Sequence, residues 1–310
     1  MSATIYPAAR LCADFISRAL SDSQTSSRPL FVGFQGPQGC GKATLTSQTK
    51  TVLQELPTPI HAVVFSIDDL YLPYLGLTQL AQTHPDNALL NGRGQPGTHD
   101  PKLGGDLLSQ LAHINEGGEV RLPVFDKSAY RGYGDRSEEV VVVRPPVDVV
   151  LLEGWCFGFQ PLEAEELRRR YESPSSDSGG GAMAIALSAS QPQKFFRAHS
   201  LEALIDINSS LKTYAELWYK RFTHFIQASS IVPENLHCVF EWRLQQEHAM
   251  KIKNGGCGMT DEQVHNFVAR YMPGYELFQD TIELPSNPWH GRGIKIKLDR
   301  QRTVVRTGQF

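Results

Sequence analysis

The sequence predicts an α/β protein with a mostly parallel, doubly wound sheet that is flanked by helices. Its strand candidates at 30–34, 61–67 and 147–152 are continuously apolar, as strands covered on both faces are. Helical stretches separate these strands, which favours the doubly wound order. Each of the three strands runs directly into glycine or carboxylate residues. Because ligands bind at the carboxyl ends of such strands, those residues are the candidates for a functional site.

Length and composition exclude several classes of protein. A chain of 310 residues with 41% hydrophobic and 20% charged residues can bury a sizeable core, and we expect a single domain over residues 1–310. The formal net charge of −3 argues against nucleic acid and anionic membrane as partners, which favour a strongly basic surface. No apolar run approaches the ~18 residues of a membrane span. Functional basic residues are therefore expected to be few and local.

Cysteine usage and the first residues bear on location. The five cysteines are odd in number and form no CxxC pair, so they indicate neither a disulfide framework nor a zinc site. Residues 1–20 are mildly amphipathic and carry both basic and acidic residues, which predicts a docked N-terminal helix rather than a targeting peptide. Together these features predict a cytoplasmic protein.

Helix signals and composition predict the remaining elements. Asp100 as N-cap followed by Pro101 opens a helix through 113, and Thr260 caps a helix over 260–271. The Ser-, Gly- and Ala-rich segment 173–193 predicts a flexible insertion. Other predicted elements are helices at 43–56, 211–227 and 241–253, strands at 140–143 and 294–298, the latter at an edge, and a substrate-facing loop at 75–98.

The strongest functional signal is a glycine-rich loop between the first strand and the following helix. Its sequence GPQGCGKAT (36–44) lets successive backbone N–H groups surround a phosphate, and the helix N-terminus adds partial positive charge. Lys42 is expected to bridge the β- and γ-phosphates of a nucleoside triphosphate, and the thiol of Cys40 to have a lowered pKa. The predicted ATP-binding residues are Gly36, Pro37, Gln38, Gly39, Cys40, Gly41, Lys42, Ala43 and Thr44.

The loop departs from the usual pattern at one position. A Ser or Thr normally follows the lysine because its hydroxyl ligates Mg²⁺. Ala43 holds this position here, and the hydroxyl comes on Thr44, about 100° further around the helix. Metal binding is therefore expected to rely on carboxylates and water.

Those carboxylates follow the two other strands. Asp68 is the predicted catalytic base, which orients an acceptor hydroxyl and takes its proton. Asp69 is expected to support the acceptor or to contact the metal. Glu153 is expected to polarise a metal-bound water. For each of them the alternative is a strand-terminal turn or cap without a catalytic role.

Two turn-rich segments carry the cations that suit an anionic acceptor. Arginine binds carboxylate and phosphate in a bidentate manner. We expect Arg93, Lys127 and Arg136 to bind the acceptor together with His99, and Arg131 to contribute less. The alternative for each cation is a solvated surface charge, and for His99 a packed or capping role.

Arg243 and Glu247 share one face of the predicted helix at 241–253, four residues apart. One interpretation is a surface ion pair. The other is a helical lid whose Arg243 contacts the transferring phosphoryl group as an arginine finger does. The second interpretation places Arg243 beside Lys42, Asp68 and Glu153 as a catalytic residue.

Read together, these segments resemble the D-glycerate 3-kinase family of plants, cyanobacteria and fungi, which includes fungal ATP-dependent kinases. That family is related to phosphoribulokinase, uridine kinase and bacterial pantothenate kinase. The resemblance implies a P-loop kinase fold, ATP with Mg²⁺, and D-glycerate as the acceptor that becomes 3- or 2-phosphoglycerate. In related kinases the aspartate that matches Asp68 is the catalytic base. The matching segments are GPQGCGK (36–42), SIDDLYL (66–72), RGQPGTHD (93–100), LPVFDKSAYRGYGDR (122–136), LLEGW (151–155), EWRLQQE (241–247) and GMTDEQVHNFVARYMPGY (258–275).

Two other functions stay open on the sequence alone. One is a kinase for another small polyol, nucleoside or vitamin precursor, since related kinases share this core. The other is a nucleotide switch or a weakly catalytic nucleotide-binding scaffold. A GTPase switch is disfavoured because the chain has no Asn-Lys-x-Asp segment. Ala43 favours the scaffold, whereas Lys42, Asp68 and Glu153 oppose it.

Overall fold

The computed structural model of the chain describes residues 5–22, 28–173, 194–230, 237–253, 255–256 and 258–310. Apart from Ser173, the predicted insertion at 173–193 lies outside these residues. The strands are β1 (Leu30–Gln35), β2 (Ala62–Ser66), β3 (Val120–Asp126), β4 (Asp135–Val143), β5 (Val149–Gly154), β6 (His224–Ser230), β7 (Gly293–Leu298) and β8 (Val304–Gln309). The helices are α1 (Pro7–Asp22), α2 (Lys42–Gln54), α3 (Tyr74–Thr83), α4 (Pro101–Ala112), α5 (Ala164–Glu172), α6 (Leu201–Leu217), α7 (His237–Lys253), α8 (Asp261–Ala269) and α9 (Met272–Phe278), with a single turn at Ala129–Gly132.

A six-stranded sheet in the order β2-β5-β1-β6-β7-β8 forms the centre of the protein. The first five strands are parallel, and β8 pairs antiparallel with β7. Every residue of β1 and of β5 is buried, as the continuously apolar sequence predicts. The mostly parallel sheet with flanking helices confirms the predicted fold class.

Helix-capping signals in the sequence are confirmed at two helices. The side chain of Asp100 accepts the N–H of Leu103 at 2.9 Å, and Pro101 is the first residue of α4. Thr260 and Gln263 form a reciprocal capping box at the start of α8. Among the described residues, no helix has the length and apolar character needed to cross a membrane.

The predicted N-terminal helix is also confirmed, since α1 packs on α2. The buried residues of α1 are Ala8, Ala9, Cys12, Ala13, Ile16 and Ala19. The hydroxyl of Thr49 on α2 donates to the carbonyl of Ala9 at 3.4 Å. Cys12 is fully buried at this interface, and burial raises the pKa of its thiol to about 12.

The predicted helix at 211–227 is wrong. The helix α6 ends at Leu217, and residues 224–230 form the inner strand β6. The apolar run within these residues fits a helix and a strand equally well. It forms a strand because it is buried between β1 and β7 and pairs with both. The strand at 294–298 lies inside the sheet, because β8 covers the edge that it was expected to form.

Two further predicted segments differ in the structure. The loop at 75–98 contains the helix α3, whose Leu77 is fully buried. The strand at 140–143 belongs to β4, which pairs with β3 in a separate antiparallel ribbon rather than in the main sheet. Val140 and Val141 are exposed on this ribbon. The local sequence pattern predicted neither the helix within 75–98 nor the pairing of the strand at 140–143 with β3.

The register of the strands brings the functional candidates to one edge. Glu153 on β5 pairs with Phe34 on β1 and with Ser66 on β2. The glycine-rich loop follows β1, and the aspartate pair follows β2. All three therefore meet at the carboxyl edge of the sheet, where doubly wound proteins bind their ligands.

Candidate active site

The glycine-rich loop has the backbone conformation of an anion-binding site. Gly39 and Gly41 have φ of 75° and 91°, which side-chain-bearing residues rarely adopt. At Gly36, the first residue of the loop, an added Cβ would come within 2.7 Å of the Sγ of Cys40. No side chain caps the N-terminus of α2. The glycine conformations and the N-terminus of α2 without a side-chain cap are features of a loop that binds phosphate.

The loop is held together by its own carbonyl and by neighbouring residues. The carbonyl of Pro37 accepts both the Nζ of Lys42 and the backbone N–H of Cys40, each at 3.3 Å. The N–H of Gln38 donates to the hydroxyl of Tyr275 at 3.0 Å. Lys42 and Cys40 thus share one acceptor in this structure, and the phosphate contact predicted for Lys42 remains a prediction.

The lowered pKa predicted for the thiol of Cys40 is wrong. Its side chain is 1% exposed, and burial raises the pKa of its thiol although Lys42 opposes this. The helix N-terminus is present, but desolvation of the thiolate outweighs it. Ala43 and Thr44, which follow Lys42 in the first turn of α2, are exposed.

Asp68 lies in a short turn directly after β2, where the hydroxyl of Ser66 accepts its N–H at 3.2 Å. Its Oδ2 accepts the Nζ of Lys127 at 2.5 Å, and its Oδ1 accepts the hydroxyl of Tyr71 at 3.0 Å. Burial opposes ionisation of this carboxyl, but the ammonium of Lys127, with His99 and Lys42, holds its pKa well below the usual range. Asp68 is therefore ionised at neutral pH.

Asp69 points to a different neighbour. Its Oδ1 accepts the N–H of Phe125 on β3 at 3.2 Å, and burial raises the pKa of its carboxyl. This contact anchors the β3–β4 ribbon on the turn that carries Asp68. The metal contact predicted for Asp69 remains a prediction.

Glu153 is 8% exposed near the end of β5. Burial raises the pKa of its carboxyl, with Lys42 opposing, and its Oε2 has no hydrogen-bond partner among the described residues. An unpaired buried carboxylate oxygen beside the phosphate loop is a suitable contact for a cation or a metal-bound water. Within the described ranges, no group of three or more His, Cys, Asp or Glu side chains is arranged to hold a metal ion.

The predicted acceptor-binding cations have different surroundings. Arg93 donates to the carbonyls of Gly132 and Tyr133 at 2.6 and 2.5 Å, and its guanidinium lies 5.8 Å from the ring centre of Phe125. Arg136 donates to the carbonyl of Tyr71 at 3.0 Å. Arg93 and Arg136 therefore bind backbone carbonyls, and acceptor binding by these cations remains a prediction. Lys127 contacts the carboxylate of Asp68.

His99 is packed beneath this carboxylate. It is 1% exposed, stacks on Tyr71 with ring centres 4.3 Å apart, and has its Nδ1 2.7 Å from the hydroxyl of Tyr214. Burial lowers the pKa of His99 to about 4, although Asp68 opposes this, so the ring is neutral at pH 7. Its Nε2 has no hydrogen-bond partner among the described residues.

Arg243 forms an ion pair with Glu247 at 2.7 Å, but this pair is not on the surface as one interpretation expected. The side chains are 14% and 1% exposed, and the guanidinium lies over the ring of Phe267. A Cβ on Gly39 would come within 2.7 Å of the backbone nitrogen of Arg243. The helix α7 therefore touches the phosphate loop, and a contact between Arg243 and the phosphoryl group remains a prediction.

Two residues of the site were missed by the sequence analysis. Tyr71 bonds to Asp68, and its place in the segment SIDDLYL was a signal that was not used. Arg302 donates from the β7–β8 turn to the carbonyl of Gly39 at 2.7 Å. Nothing near Arg302 in the sequence indicates a contact with a residue 263 positions away.

Phosphate-binding backbone and an ionised aspartate stand at one edge of a parallel sheet, and this arrangement is that of a P-loop kinase. No family model matches the chain. Its relatives include the probable ATP-dependent kinase TDA10 of Saccharomyces cerevisiae, 35% identical over 90% of this chain and 88% of that protein. The chloroplastic D-glycerate 3-kinase of Arabidopsis thaliana is 34% identical over 89% of this chain. The chain spans about half (54%) of the length of that plant protein.

Solved structures agree with the sequence relatives. The D-glycerate 3-kinase from Cryptococcus neoformans var. grubii superposes with a TM-score of 0.86 at 38% identity, covering 98% of this chain and 99% of that one. The YGR205w protein superposes with a TM-score of 0.73 at 31% identity, covering 96% and 95%. The chain belongs to the family of these D-glycerate 3-kinases and ATP-dependent kinases. It is therefore an ATP-dependent kinase, as its sequence predicted.

Proposed function

We propose that the protein transfers the γ-phosphoryl group of ATP to a hydroxyl of D-glycerate. Two relatives carry the name D-glycerate 3-kinase, which favours the 3-hydroxyl. The observation that carries the proposal is the ion pair between Lys127 and Asp68. This pair supports the proposal because an exposed cation lies beside the carboxylate that we expect to receive the acceptor hydroxyl.

Both oxygens of Asp68 have a partner in this state. Lys127 donates to Oδ2 and Tyr71 donates to Oδ1. Each oxygen can accept a further hydrogen bond, but a hydroxyl that is to give its proton to Asp68 competes with these two donors for the charge of the carboxylate. Lys127 is the easier one to move, because its side chain is 55% exposed whereas Tyr71 is buried. A carboxylate on the acceptor offers the displaced ammonium a new anionic partner, which glycerol does not.

The chemical step then follows from the groups at this edge. The oxygen of the acceptor hydroxyl forms a bond to the γ-phosphorus while the hydroxyl proton passes to Asp68. The bond between the γ-phosphorus and the bridging oxygen of the β-phosphate breaks, and ADP leaves. Lys42 and the loop amides bind the phosphate oxygens. The products are phosphoglycerate and ADP.

Mg²⁺ fits the same edge. The unpaired Oε2 of Glu153 would hold the metal or one of its waters, and the metal would neutralise phosphate charge when it is bound. Ala43 has no hydroxyl to offer as a ligand, so water would have to serve instead. We expect the cation to be needed for turnover.

The proposal is tested by measuring ADP release with a panel of acceptors. The panel contains D-glycerate, L-glycerate, lactate, glycerol, uridine and pantothenate at equal concentration. D-glycerate is expected to give the largest kcat/KM. A larger value for a polyol, a nucleoside or pantothenate would assign another acceptor to the kinase, and no turnover with any acceptor would favour a nucleotide-binding scaffold.

A further inference from the structure

The turn between β7 and β8 reaches the phosphate loop through one strained residue. Arg302 has a φ of 63°, in the left-handed region that suits glycine. Asp299 enforces this turn, since its carbonyl accepts the N–H of Arg302 at 3.0 Å and its Oδ1 accepts those of Gln301 and Thr303 at 2.9 and 2.8 Å. Glycine would adopt this conformation without strain. The presence of an arginine here therefore indicates that its side chain makes contacts that offset the strain.

That side chain bonds to the loop and to α7 at the same time. Its Nε donates to the carbonyl of Gly39 at 2.7 Å, and its Nη2 donates to the carbonyl of Trp242 at 3.1 Å. Its Nη1 donates to the side chain of Gln245 at 2.8 Å, and the guanidinium lies 5.7 Å from the ring centre of Trp242. One guanidinium thus joins the phosphate loop to the helix that carries Arg243.

The loop and the helix touch at the residue that Arg302 binds. A Cβ on Gly39 would come within 2.6 Å of the carbonyl carbon of Trp242, so glycine is needed there for space as well as for its φ of 75°. The absence of a side chain also leaves the backbone at Gly39 with more rotational freedom than any other residue has. The orientation of its peptide group therefore depends on hydrogen bonds.

The bond from Arg302 determines where the next N–H points. The C=O and N–H of one trans peptide lie in a plane and point in opposite directions. The carbonyl of Gly39 points to Arg302, while the N–H of the same peptide, on Cys40, points across the loop to the carbonyl of Pro37. That is the side on which Lys42 lies and on which phosphate binds.

We propose that Arg302 is a positioning residue of the nucleotide site, which holds the Gly39 carbonyl outward and thereby keeps the Cys40 N–H directed at the phosphates. Without the guanidinium, the peptide is free to rotate and to present a carbonyl oxygen to the phosphate oxygens, which repel it. This role rests on the ATP site alone. It does not depend on which acceptor the kinase uses.

The test is nucleotide affinity without any acceptor, measured by calorimetric titration with ADP and Mg²⁺. Arg302→Gly removes the side chain and also the strain at its backbone, so the melting temperature is expected to stay close to that of wild type while ADP binds roughly tenfold more weakly or worse. Arg302→Gln keeps a side chain but loses the charged fork, and a similar weakening is expected. Arg300→Ala is the control, because this arginine of the same turn is 67% exposed and its side chain pairs with Glu241 on α7 at 3.4 Å.

The kinetic readout separates positioning from folding. In both Arg302 variants the KM for ATP is expected to rise while the KM for the acceptor stays within a few-fold. ADP affinity within twofold of wild type in a folded Arg302→Gly or Arg302→Gln protein would overturn the role. Equal weakening in Arg300→Ala would overturn it as well, because the effect would then belong to the turn as a whole.

Discussion

The two halves of the active site are built in different ways. The phosphate half is one continuous segment, 36–44, whose backbone N–H groups and glycine conformations are expected to bind the phosphates. The acceptor half is assembled from side chains of three segments that are distant in the sequence, with Asp68 on the first, His99 on the second, and Lys127 and Arg136 on the third. In the phosphate half the groups are bound weakly, at 3.3 Å, to one carbonyl. In the acceptor half Lys127 is paired tightly with Asp68 at 2.5 Å, and Arg136 donates to the carbonyl of Tyr71 at 3.0 Å.

This difference has a functional meaning. A backbone loop binds any triphosphate that fits, and it needs little rearrangement. A set of side chains that already satisfy each other binds only an acceptor that offers better partners than the internal ones. The selectivity of the kinase is therefore expected to reside in the exchange of partners at Asp68 and Lys127.

The largest effect is expected from breaking the phosphate half. Lys42→Ala removes the ammonium from the β- and γ-phosphates and should lower kcat by roughly 10²–10³-fold, the usual cost of one group that stabilises transition-state charge. ATP should also bind more weakly. Lys50→Ala, an exposed lysine of the same helix, is the control. Near-normal turnover in Lys42→Ala would mean that the loop does not hold the reacting phosphates.

The acceptor half contains a buried neutral histidine, and this predicts an effect of pH on stability. The pKa of His99 is about 4 in the fold against 6.5 as the ordinary value, so below pH 6.5 the unfolded chain binds a proton that the folded protein does not. The free energy of unfolding should therefore fall as the pH drops from 6.5 to 4, by up to about 3 kcal/mol from this group. Chemical denaturation at several pH values measures it.

Burial also lowers the pKa of the half-buried His199 and His224, which therefore contribute to the same slope, so the variants decide. His99→Gln should lose most of this part of the pH dependence. His113→Gln, at a histidine whose side chain is 47% exposed, should keep it. An unchanged slope in His99→Gln would show that the ring titrates normally in the folded protein.

Asp68→Asn tests the acceptor half without touching the phosphates. The amide cannot take the hydroxyl proton, so kcat should fall by roughly 10²-fold while ATP affinity stays within a few-fold. Because Lys127 keeps the pKa of Asp68 low in the free protein, the wild-type kcat/KM should not fall through loss of this base between pH 8 and pH 5. A near-normal kcat in Asp68→Asn would remove Asp68 from the role of base.

The smallest effect concerns the metal. Ala43→Ser should restore a hydroxyl ligand and lower the Mg²⁺ concentration for half-maximal rate by a few-fold, since water already serves in its place. Glu153→Gln should raise that concentration. A Mg²⁺ titration of the initial rate at saturating ATP compares the three proteins. If neither substitution moved the curve, the metal would be held elsewhere.

The same division explains what the sequence revealed. The phosphate loop, the aspartate after β2 and the glutamate in β5 were all predicted because each belongs to a short segment with its own pattern. The central strand β6 was mistaken for a helix, because its apolar run has no period that separates the two. The structural use of Arg93 and Arg136, the burial of Cys40 and the bond from Arg302 to Gly39 depend on residues far away in the chain. No local pattern carries that information.

The central claim is that Lys127 leaves Asp68 to bind the carboxylate of the acceptor. The direct measurement is the ratio of kcat/KM for D-glycerate to that for glycerol, in wild type, in Lys127→Met and in Arg121→Met, whose arginine lies on β3 of the same ribbon and is 67% exposed. Loss of one charge-assisted bond costs ~1.5–3 kcal/mol, so wild type should prefer D-glycerate by roughly 10- to 150-fold. Lys127→Met should lose most of this preference, and Arg121→Met should keep it. Equal kcat/KM for the two acceptors in wild type, or a full preference in Lys127→Met, would contradict the claim.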